Sequence, residues 1–529
     1  MKKWFAENVE FDRRKNYYIP ATRIVKTFGS NCQSAKLLEN GNFILKKTSD
    51  EEAGLILDFG QELNGGIRIK TGHPRGEWFA KIRVRFGESV SEVLTDPVND
   101  HAIHDQLMTI SALGTHDFGD TGFRFVRIDF LDDNIEFDIQ GICAIAKELE
   151  LEYKGSFECS DELLNKIWIT GARTVHLCCQ NYIFDGIKRD RLLWVGDLHP
   201  QIQVAKTVFG DIDVVRKTIT ASPATKLHTP WMNWGFASYS LWWIICLWEW
   251  YHYTSDKQLL TQAEADIDFI INEVNKFIDQ QGNEHYEGHR FIDWPTAKNE
   301  SAINQGLLLL TSMATEKVKT IATILSNNDL AQKAAAINNR LNKTKLQQVS
   351  DSKQINALKA FAGIDSPIKK QAISSQGLST WYGYYYIQHL ASCGFIKEAM
   401  ELIKQYWGGM LSLGATTFWE HFDLAWLENA SRIDEPPTKD KVDIHAKYGG
   451  FCFTGHRHSL CHGWASGPTA WLSQYVLGFN FNSPGCKDMD IKPNLGDLEW
   501  AKGTFPTPNG IISVEHKKTA NGIESKIDC

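Results

Sequence analysis

A stretch of thirteen residues, Asp185–Asp197, concentrates groups that could transfer protons. It holds three aspartates, three cations and a tryptophan around the apolar run Leu192–Val195. A solvated charged face would not need that apolar run, and a buried helix would not tolerate six charges. A carboxyl group held beside apolar side chains loses water and gains a higher pKa, which suits it to donate a proton. The stretch therefore predicts a cleft with a general acid, and the alternative is an irregular loop held by Asp–Arg ion pairs.

Further segments repeat this combination of tryptophan with polar or acidic side chains at the predicted ends of helices, where loops converge on pockets. The candidate binding residues in these segments are Trp231, Trp234, Asp293, Trp294, Trp419, His462 and Trp464. Tryptophan rings stack on the apolar faces of sugars, and the chain has 18 of them. The alternative functions are core packing for the first two tryptophans, a helix cap for Asp293 and a structural role for His462.

Glu420 is the candidate for a second catalytic carboxylate. No Lys or Arg lies within four residues of it, and it follows the aromatic pair Phe418-Trp419. Paired carboxylates in an aromatic cleft favour glycoside hydrolysis, in which one acid protonates the leaving oxygen and one base activates water. A carbohydrate is therefore the predicted partner.

Other chemistries and partners lack their signatures in this sequence. There is no Gly-x-Ser-x-Gly elbow, phosphate-binding loop, His-Glu-x-x-His or Cys-x-x-Cys motif, so neither a metal nor a cofactor is predicted. The net charge is -8 and no long basic block occurs, which argues against nucleic acid. No apolar run is long enough for a membrane span. The oligomeric state is left open.

The compartment is also left open by the sequence. The segment Met1–Asn8 has basic residues but no apolar run after them, so it does not read as a signal peptide. The sequence as it stands fits the cytoplasm, and a removed signal would mean a periplasmic or secreted protein. The eleven cysteines have no repeated spacing, and most of them are expected to be buried thiols.

The elements that must position these residues change type twice along the chain. Residues 1–152 alternate apolar and charged side chains, as in Ala80–Phe86 and Phe123–Phe130, which predicts an antiparallel β-sandwich. Residues 153–482 show helical periodicity in paired segments and predict a toroid of helix hairpins. Residues 483–529 return to a strand pattern and are too few to fold alone, so they are expected to pack as a small sheet. The fold class is thus mixed, with all-α and all-β domains.

Several segments together resemble glycoside hydrolase family 78, the α-L-rhamnosidases. Asp185-x4-Asp190-x3-Trp194-x-Gly196-Asp197 and Gly414–Glu420 resemble its two signature segments. Asp490–Pro493 and Gly503–Gly510 resemble its C-terminal β region, and Phe59–Gly65 resembles part of its N-terminal β domain. The resemblance implies a central (α/α)6 six-hairpin barrel between β domains. It also implies an inverting exo-glycosidase acting on terminal α-L-rhamnosyl linkages of a plant or algal glycan or glycoside.

The resemblance also assigns roles to residues. Glu420 matches the general base, and Asp190 best matches the general acid, which is usually a glutamate in the family. Arg191 stands where many members have that glutamate, and Asp185 is the alternative acid. An inverting pair needs carboxyl groups roughly 6.5–9.5 Å apart, which leaves room for water.

The same matching implies that Asp185, Trp194, Asp197 and Trp419 bind the sugar. Lys188, Arg189 and Arg191 would favour a uronate beside the rhamnose if they face the cleft; otherwise they pair with Asp185 and Asp190.

Two other functions fit parts of this pattern. A polysaccharide lyase on a helical toroid would use His462 as base and Arg189 or Arg191 to neutralise a uronate. A non-catalytic carbohydrate-binding relative would keep the aromatic cleft without turnover.

Overall fold

The computed structural model describes residues 12–29, 32–39, 42–49, 51–95, 105–447 and 455–528. The segment Met1–Asn8, on which the signal-peptide prediction rests, lies outside them. The chain forms two compact units. The first comprises Met1–Leu151, Cys179–Ile183 and Asp434–Pro436, and the second comprises Glu152–Cys178, Phe184–Ile433 and Pro437–Cys529.

The first unit is built on antiparallel strands. Its strands are β1 Lys15–Pro20, β2 Arg23–Phe28, β3 Phe43–Lys47, β4 Ala53–Pro74, β5 Phe79–Gly87, β6 Asp105–Ser111, β7 Thr115–Phe130 and β8 Ile135–Glu148. They pair in the order β1-β8-β4-β7-β5-β6, while β2 adds to β4 and β3 adds to β8. A short helix, α1 Val90–Leu94, begins at Ser89, whose hydroxyl accepts the N–H of Glu92.

The alternating sequence pattern of this unit produces a buried apolar face. The buried apolar side chains of β7 are Phe123, Phe125, Val126, Ile128 and Phe130. Phe123 contacts Phe59 and Phe86 edge to face. The sequence segments Leu55–Gly60 and Gly65–Lys70 form one long strand, β4, rather than two. The register shifts between Asp58 and Leu63 and again after Gly65. Gly60 and Gly65 have positive φ, so the strand bends at these points without ending.

The second unit is mainly helical. Its helices are α2 Glu162–Cys178, α3 Leu198–Val208, α4 Asp213–Ala221, α5 Met232–Gly235, α6 Ala237–Thr254, α7 Lys257–Phe277, α8 Glu300–Leu325, α9 Asn328–Arg340, α10 Lys343–Gln347, α11 Lys353–Phe361, α12 Tyr382–Ser392, α13 Ile396–Ser412, α14 Ile444–Lys447 and α15 Gly467–Trp471. A π-helical turn, Leu472–Val476, continues α15.

Side-chain caps fix where several of these helices begin. Asp161 accepts the N–H groups of Leu163 and Leu164, so it is the cap of α2. Asn299 caps α8 in the same way. The helical pattern over residues 198–220 is interrupted in the structure, because Phe209 and Gly210 both donate to the carbonyl of Ala205 and end α3.

The carboxyl-terminal strands belong to the second unit. They are β9 Ser156–Cys159, β10 Phe479–Phe481, β11 Met489–Ile491, β12 Trp500–Thr507, β13 Gly510–Thr519 and β14 Gly522–Asp528. A four-stranded antiparallel sheet runs β14-β13-β12-β9, and β10 pairs with β11. Tyr253 of α6 donates its hydroxyl to the carbonyl of Pro506, which anchors this sheet on the helices.

None of the described helices has the length and apolar character to cross a membrane. The eight described cysteines from Cys143 to Cys486 are free thiols, and six of them are buried.

Candidate active site

A cavity of about 480 Å³ lies in the second unit, where the loops that precede several helices meet. It brings together eight of the residues predicted from the sequence: Asp185, Asp190, Trp194, Asp197, Trp294, Glu420, His462 and Trp464. The remaining lining residues come from the start of α6 and the loop before α8: Phe236, Tyr239, Gly288, His289, Arg290 and Phe291. Four carboxyl groups and an aromatic wall therefore face one space.

Asp185 shapes the loop that carries Asp190 and Asp197. Its two carboxylate oxygens accept the N–H groups of Asp190, at 2.8 Å, and Leu192, at 2.7 Å. Its own carbonyl accepts the N–H of Gly463 at 2.7 Å, which joins this loop to the His462 segment. The charged stretch is irregular because its backbone bonds to this buried carboxylate.

Asp190 is more exposed to the cavity than the neighbouring acids. A quarter of its side chain is exposed, whereas only 3% of the Asp197 side chain is. The indole N–H of Trp194 donates to its Oδ2 at 3.3 Å. Arg457 places Nη2 3.8 Å from its Oδ1. The carboxyl group of Asp190 can thus contact a ligand while the Trp194 indole and the Arg457 guanidinium orient its two oxygens.

Asp197 stands at the centre of a buried hydrogen-bonded group. The hydroxyl of Tyr239 donates to its Oδ1 at 3.3 Å, and Nε2 of His462 lies 3.1 Å from its Oδ2. Burial raises the pKa of Asp197 well above its usual value. The His462 ring packs against Trp464, with ring centres 4.5 Å apart.

Glu420 is held by its backbone and by one oxygen of its carboxylate. Its N–H donates to the carbonyl of Ser459 at 2.9 Å, and the Ser459 N–H donates to Oε2 at 3.2 Å. The indole N–H of Trp464 and the hydroxyl of Thr380 donate to its carbonyl. This part of the chain fixes the carboxylate at the cavity wall.

Burial also changes the acidity of Glu420 and Asp185. It raises the pKa of each to about 7, against an opposing effect of His462. The neighbouring Asp190 raises both values further, since like charges close together disfavour ionisation. Glu420 can therefore accept a proton near neutral pH.

The apolar part of the cavity is a continuous aromatic wall. Trp194 contacts Phe236 and Tyr239 edge to face, with ring centres 5.8 Å apart in both pairs. Phe236 stacks on His289 at 4.7 Å. Trp294, which is 39% exposed, offers the most open ring face of the lining. Such a surface suits the apolar face of a sugar ring.

The structure does not place all of the predicted tryptophans at this cavity. Trp231 is buried and packs on Phe277 and Tyr286, so it belongs to the core. Trp419 is fully buried beside Phe422. Trp234 is 42% exposed and touches the edge of Trp194 outside the lining.

The remaining predicted residues also lie outside the lining. Asp293 is buried, accepts the hydroxyl of Ser379 at 2.7 Å and accepts the N–H of Trp294, so it acts as a cap. Arg189 is buried and donates to the carbonyl of His456. Arg191 follows Asp190 in a left-handed backbone conformation and is not among the residues that line the cavity.

Sequence reasoning missed Tyr239, His289 and the cations near the cavity. Tyr239 lies in α6, a helix that is apolar on every side, so no pattern singles it out. Arg290 stands in the segment noted for Trp294 but was not chosen, and it is ion-paired with Glu284 and Glu300. Arg457 has no sequence signal that relates it to Asp190.

Comparisons with known proteins show which family model and which folds this chain resembles. Residues 152–355 match the family model described as the bacterial alpha-L-rhamnosidase 6 hairpin glycosidase domain. An alpha-L-rhamnosidase from Alteromonas sp. (strain LOR) is 23% identical over 534 residues, covering 89% of this chain and 54% of that protein. The chain thus spans about half the length of this curated relative.

Solved structures share the fold. The family 78 rhamnosidase of Bacillus sp. GL1 superposes with a TM-score of 0.74 at 20% identity, over 92% of this chain and 53% of that one. A rhamnosidase from Klebsiella oxytoca with rhamnose bound superposes with a TM-score of 0.67 at 20% identity. The match covers 88% of this chain and 96% of that one. The resemblance to glycoside hydrolase family 78 predicted from the sequence is confirmed, and the matched domain and relatives are those of glycoside hydrolases.

Proposed function

We propose that the protein hydrolyses terminal α-L-rhamnosyl linkages with inversion at the anomeric carbon, in a plant or algal glycan or glycoside. The observation that carries this proposal is the cavity in which Asp190 and Glu420 face the same space as Asp185, Asp197 and the aromatic wall. The match of residues 152–355 to the rhamnosidase domain supports the choice of sugar.

We also propose the architecture that the family implies for this chain. The helices of residues 153–482 form an (α/α)6 barrel, residues 1–152 form a β-sandwich, and residues 483–529 form a small β domain. The cavity supports the barrel, because three of its acids precede α3, Glu420 follows α13, and Phe236 and Tyr239 stand at the start of α6.

Asp190 is the proposed general acid. Its partly exposed carboxyl group delivers a proton to the glycosidic oxygen as the bond to the anomeric carbon breaks. The indole N–H of Trp194 orients the carboxyl through its bond to Oδ2. Asp185 is less suited to this step, since both of its oxygens accept backbone N–H groups of its own loop.

Glu420 is the proposed general base. It removes a proton from a water molecule that attacks the anomeric carbon from the opposite face of the ring, as an inverting mechanism requires. Its pKa of about 7 makes it a stronger base than an exposed glutamate. Asp197 and His462 are proposed to hold sugar hydroxyls, and Trp294 to pack on the ring.

A preference for a uronate beside the rhamnose would need a cation at the cavity rim. Arg189 and Arg191 are outside the lining, and Arg290 is paired with two glutamates. Arg457, which is 37% exposed beside Asp190, is the better candidate. Comparing a uronate-containing rhamnoside with its neutral counterpart, in wild type and Arg457→Met, tests this preference.

Release of L-rhamnose from a nitrophenyl α-L-rhamnoside tests the proposal as a whole. We expect Glu420→Gln to lower turnover of this substrate by more than about a hundredfold, as is typical for loss of a general base. Nitrophenolate leaves with little protonation, so Asp190→Asn is tested on an α-L-rhamnosyl disaccharide, for which we expect a loss of the same size. Full activity of Asp190→Asn would transfer the acid role to another group. A matched control is Asp138→Asn, a substitution in the first unit.

The lyase alternative has less support from the site. The arginines proposed to neutralise a uronate, Arg189 and Arg191, do not line the cavity. A lyase would give an unsaturated product that absorbs in the ultraviolet, which distinguishes it from a hydrolase. A non-catalytic relative would bind rhamnosides without turnover, and Glu420→Gln would leave that binding intact.

A further inference from the structure

A second cavity, of about 400 Å³, lies in the helical unit away from the proposed active site. The two cavities share α6 but use different parts of it. Tyr239 lines the first, whereas Glu249, ten residues further along, lines the second. Ten residues of helix span roughly 15 Å at about 1.5 Å per residue. The second cavity is therefore a separate site, and its volume falls within the range of ligand pockets.

A buried hydrogen-bonded chain forms one wall of this second cavity. Gln203 donates through Nε2 to Glu249 at 3.1 Å and to Nε2 of His199 at 3.2 Å. His199 then donates through Nδ1 to the hydroxyl of Tyr385 at 2.9 Å. Burial lowers the pKa of His199 to about 4, so this histidine is neutral at physiological pH. The wall is thus held in place by its own hydrogen bonds.

The ionised groups around this wall carry an excess of positive charge. Burial alone would raise the pKa of Glu249. The charges of Lys206 and Lys317 and the hydrogen bond from Gln203 act against burial, and the pKa of Glu249 falls to about 2. The Lys206 ammonium lies 3.5 Å from Glu249. Lys317 makes no ion pair among the described residues, and it sits 5.2 Å from the ring centre of Trp248. Two lysines therefore face one carboxylate.

The cavity is also lined by a polar donor, the Gln388 amide. Nε2 of Gln388 is buried and makes no hydrogen bond in the part of the chain that the structure describes. A buried amide without a partner costs stability, unless something else accepts its hydrogen bonds. Aromatic rings, including Trp248 and Tyr384, complete the lining. The wall therefore offers donors, a positive charge and ring faces together.

We propose that this second cavity binds a small acidic sugar, such as a uronic acid, without catalysis. The carboxylate of the sugar pairs with Lys317, because a charge-assisted bond is the strongest contact available there. The Gln388 amide donates to an acceptor of the same ligand, and Trp248 packs on its ring. His252, whose pKa is lowered by burial, stays neutral beside this site.

Binding of D-galacturonate, measured by titration calorimetry, tests this proposal. We expect wild type to bind it, Lys317→Met to bind it about tenfold or more weakly, and neutral D-galactose to bind similarly weakly. Gln388→Met should also weaken binding, and it gives an independent variant if Lys317→Met is poorly folded. The matched control is Lys319→Met, two residues along α8, where the lysine pairs with Glu316.

The two sites are distinguished by competition and by an active-site variant. Saturating L-rhamnose should not displace galacturonate, and Glu420→Gln should bind it as wild type does. Equal affinity of wild type and Lys317→Met, displacement by rhamnose, or no binding at about 10 mM galacturonate would each overturn the proposal. Rhamnoside hydrolysis is measured separately, so failure of the second site leaves the proposed activity standing.

Discussion

At the scale of single residues, burial decides which protonation states the carboxyl groups of the cavity adopt. Asp185, Asp197 and Glu420 all have raised pKa values because their charged forms lose water. Ordinary aspartates and glutamates would be fully ionised at neutral pH. The cavity therefore holds groups that exchange protons near pH 7.

The pKa of Glu420 leads to a prediction for the pH dependence of activity. A general base must be ionised, so kcat/KM should fall as the pH drops through about 7. The apparent pKa of this decrease belongs to the coupled acids of the cavity and not to Glu420 alone. A pH profile of kcat/KM for rhamnoside hydrolysis checks this. A decrease that begins only near pH 4 would show that the carboxylate of the base keeps its contact with water.

The same pKa values predict how stability depends on pH. Folded-state pKa values above those of the unfolded chain mean that these acids favour folding at low pH, and that this contribution is lost as pH rises from about 4 to 7. A substitution of Asp185 would also remove hydrogen bonds that hold its loop, so Glu420→Gln is the variant to measure. Its melting temperature should exceed that of wild type at pH 8 and differ less at pH 5.

The bond from Trp194 to Asp190 leads to a further residue-scale prediction. Trp194→Phe keeps a ring but removes the N–H donor, so protonation of a poor leaving group should slow by about tenfold. A nitrophenolate needs little protonation, and its release should slow much less. Trp234→Phe is the control, since Trp234 only touches the edge of Trp194. Equal losses for both leaving groups would argue against a role in proton donation.

At the scale of elements, the cavity depends on how the start of α3 packs against α6. A Cβ atom at Gly196 would lie 2.3 Å from the ring of Tyr239, the residue that donates to Asp197. Gly196→Ala should therefore destabilise the protein by about 1–3 kcal/mol and lower activity. Thermal unfolding and rhamnoside hydrolysis measure these effects. Gly141→Ala, at a position with open space around it, should change neither appreciably.

The sequence predicts elements better than it predicts the cavity they form. Asp161 and the apolar periodicity after it indicate α2 and its first turn, because a cap and a buried face are local features. Trp231 and Trp294 have similar neighbours in the sequence, yet one packs in the core and the other faces the cavity. That difference depends on contacts with distant helices, which no local pattern contains.

At the scale of the whole molecule, the last strands complete a sheet that begins far earlier in the chain. Ala501 of β12 pairs with Cys159 of β9, and Phe505 packs on Tyr253 of α6. The sequence predicts that this segment needs a partner, but the partner strand has only four residues and no distinctive pattern. Long-range pairing therefore explains why the tail folds with the helices.

This pairing leads to a prediction for truncated chains. Removal of residues 500–529 would expose β9 and the apolar side chains that Phe505 covers, so the second unit should lose cooperative unfolding and the proposed hydrolysis of rhamnosides. Removal of residues 522–529 takes away only β14, whose side chains are all exposed, and should cost little. Thermal unfolding of the two truncated proteins tests this prediction. An unchanged, cooperative transition in the protein that lacks residues 500–529 would contradict it.

Asp190 and Glu420 are proposed to hydrolyse an α-L-rhamnoside with inversion. Proton NMR of the first sugar released from an α-L-rhamnoside, recorded before mutarotation, tests this proposal. We expect β-L-rhamnose to appear first. Initial release of α-L-rhamnose would contradict the inverting pair, and no release of rhamnose from any α-L-rhamnoside would contradict the proposed activity.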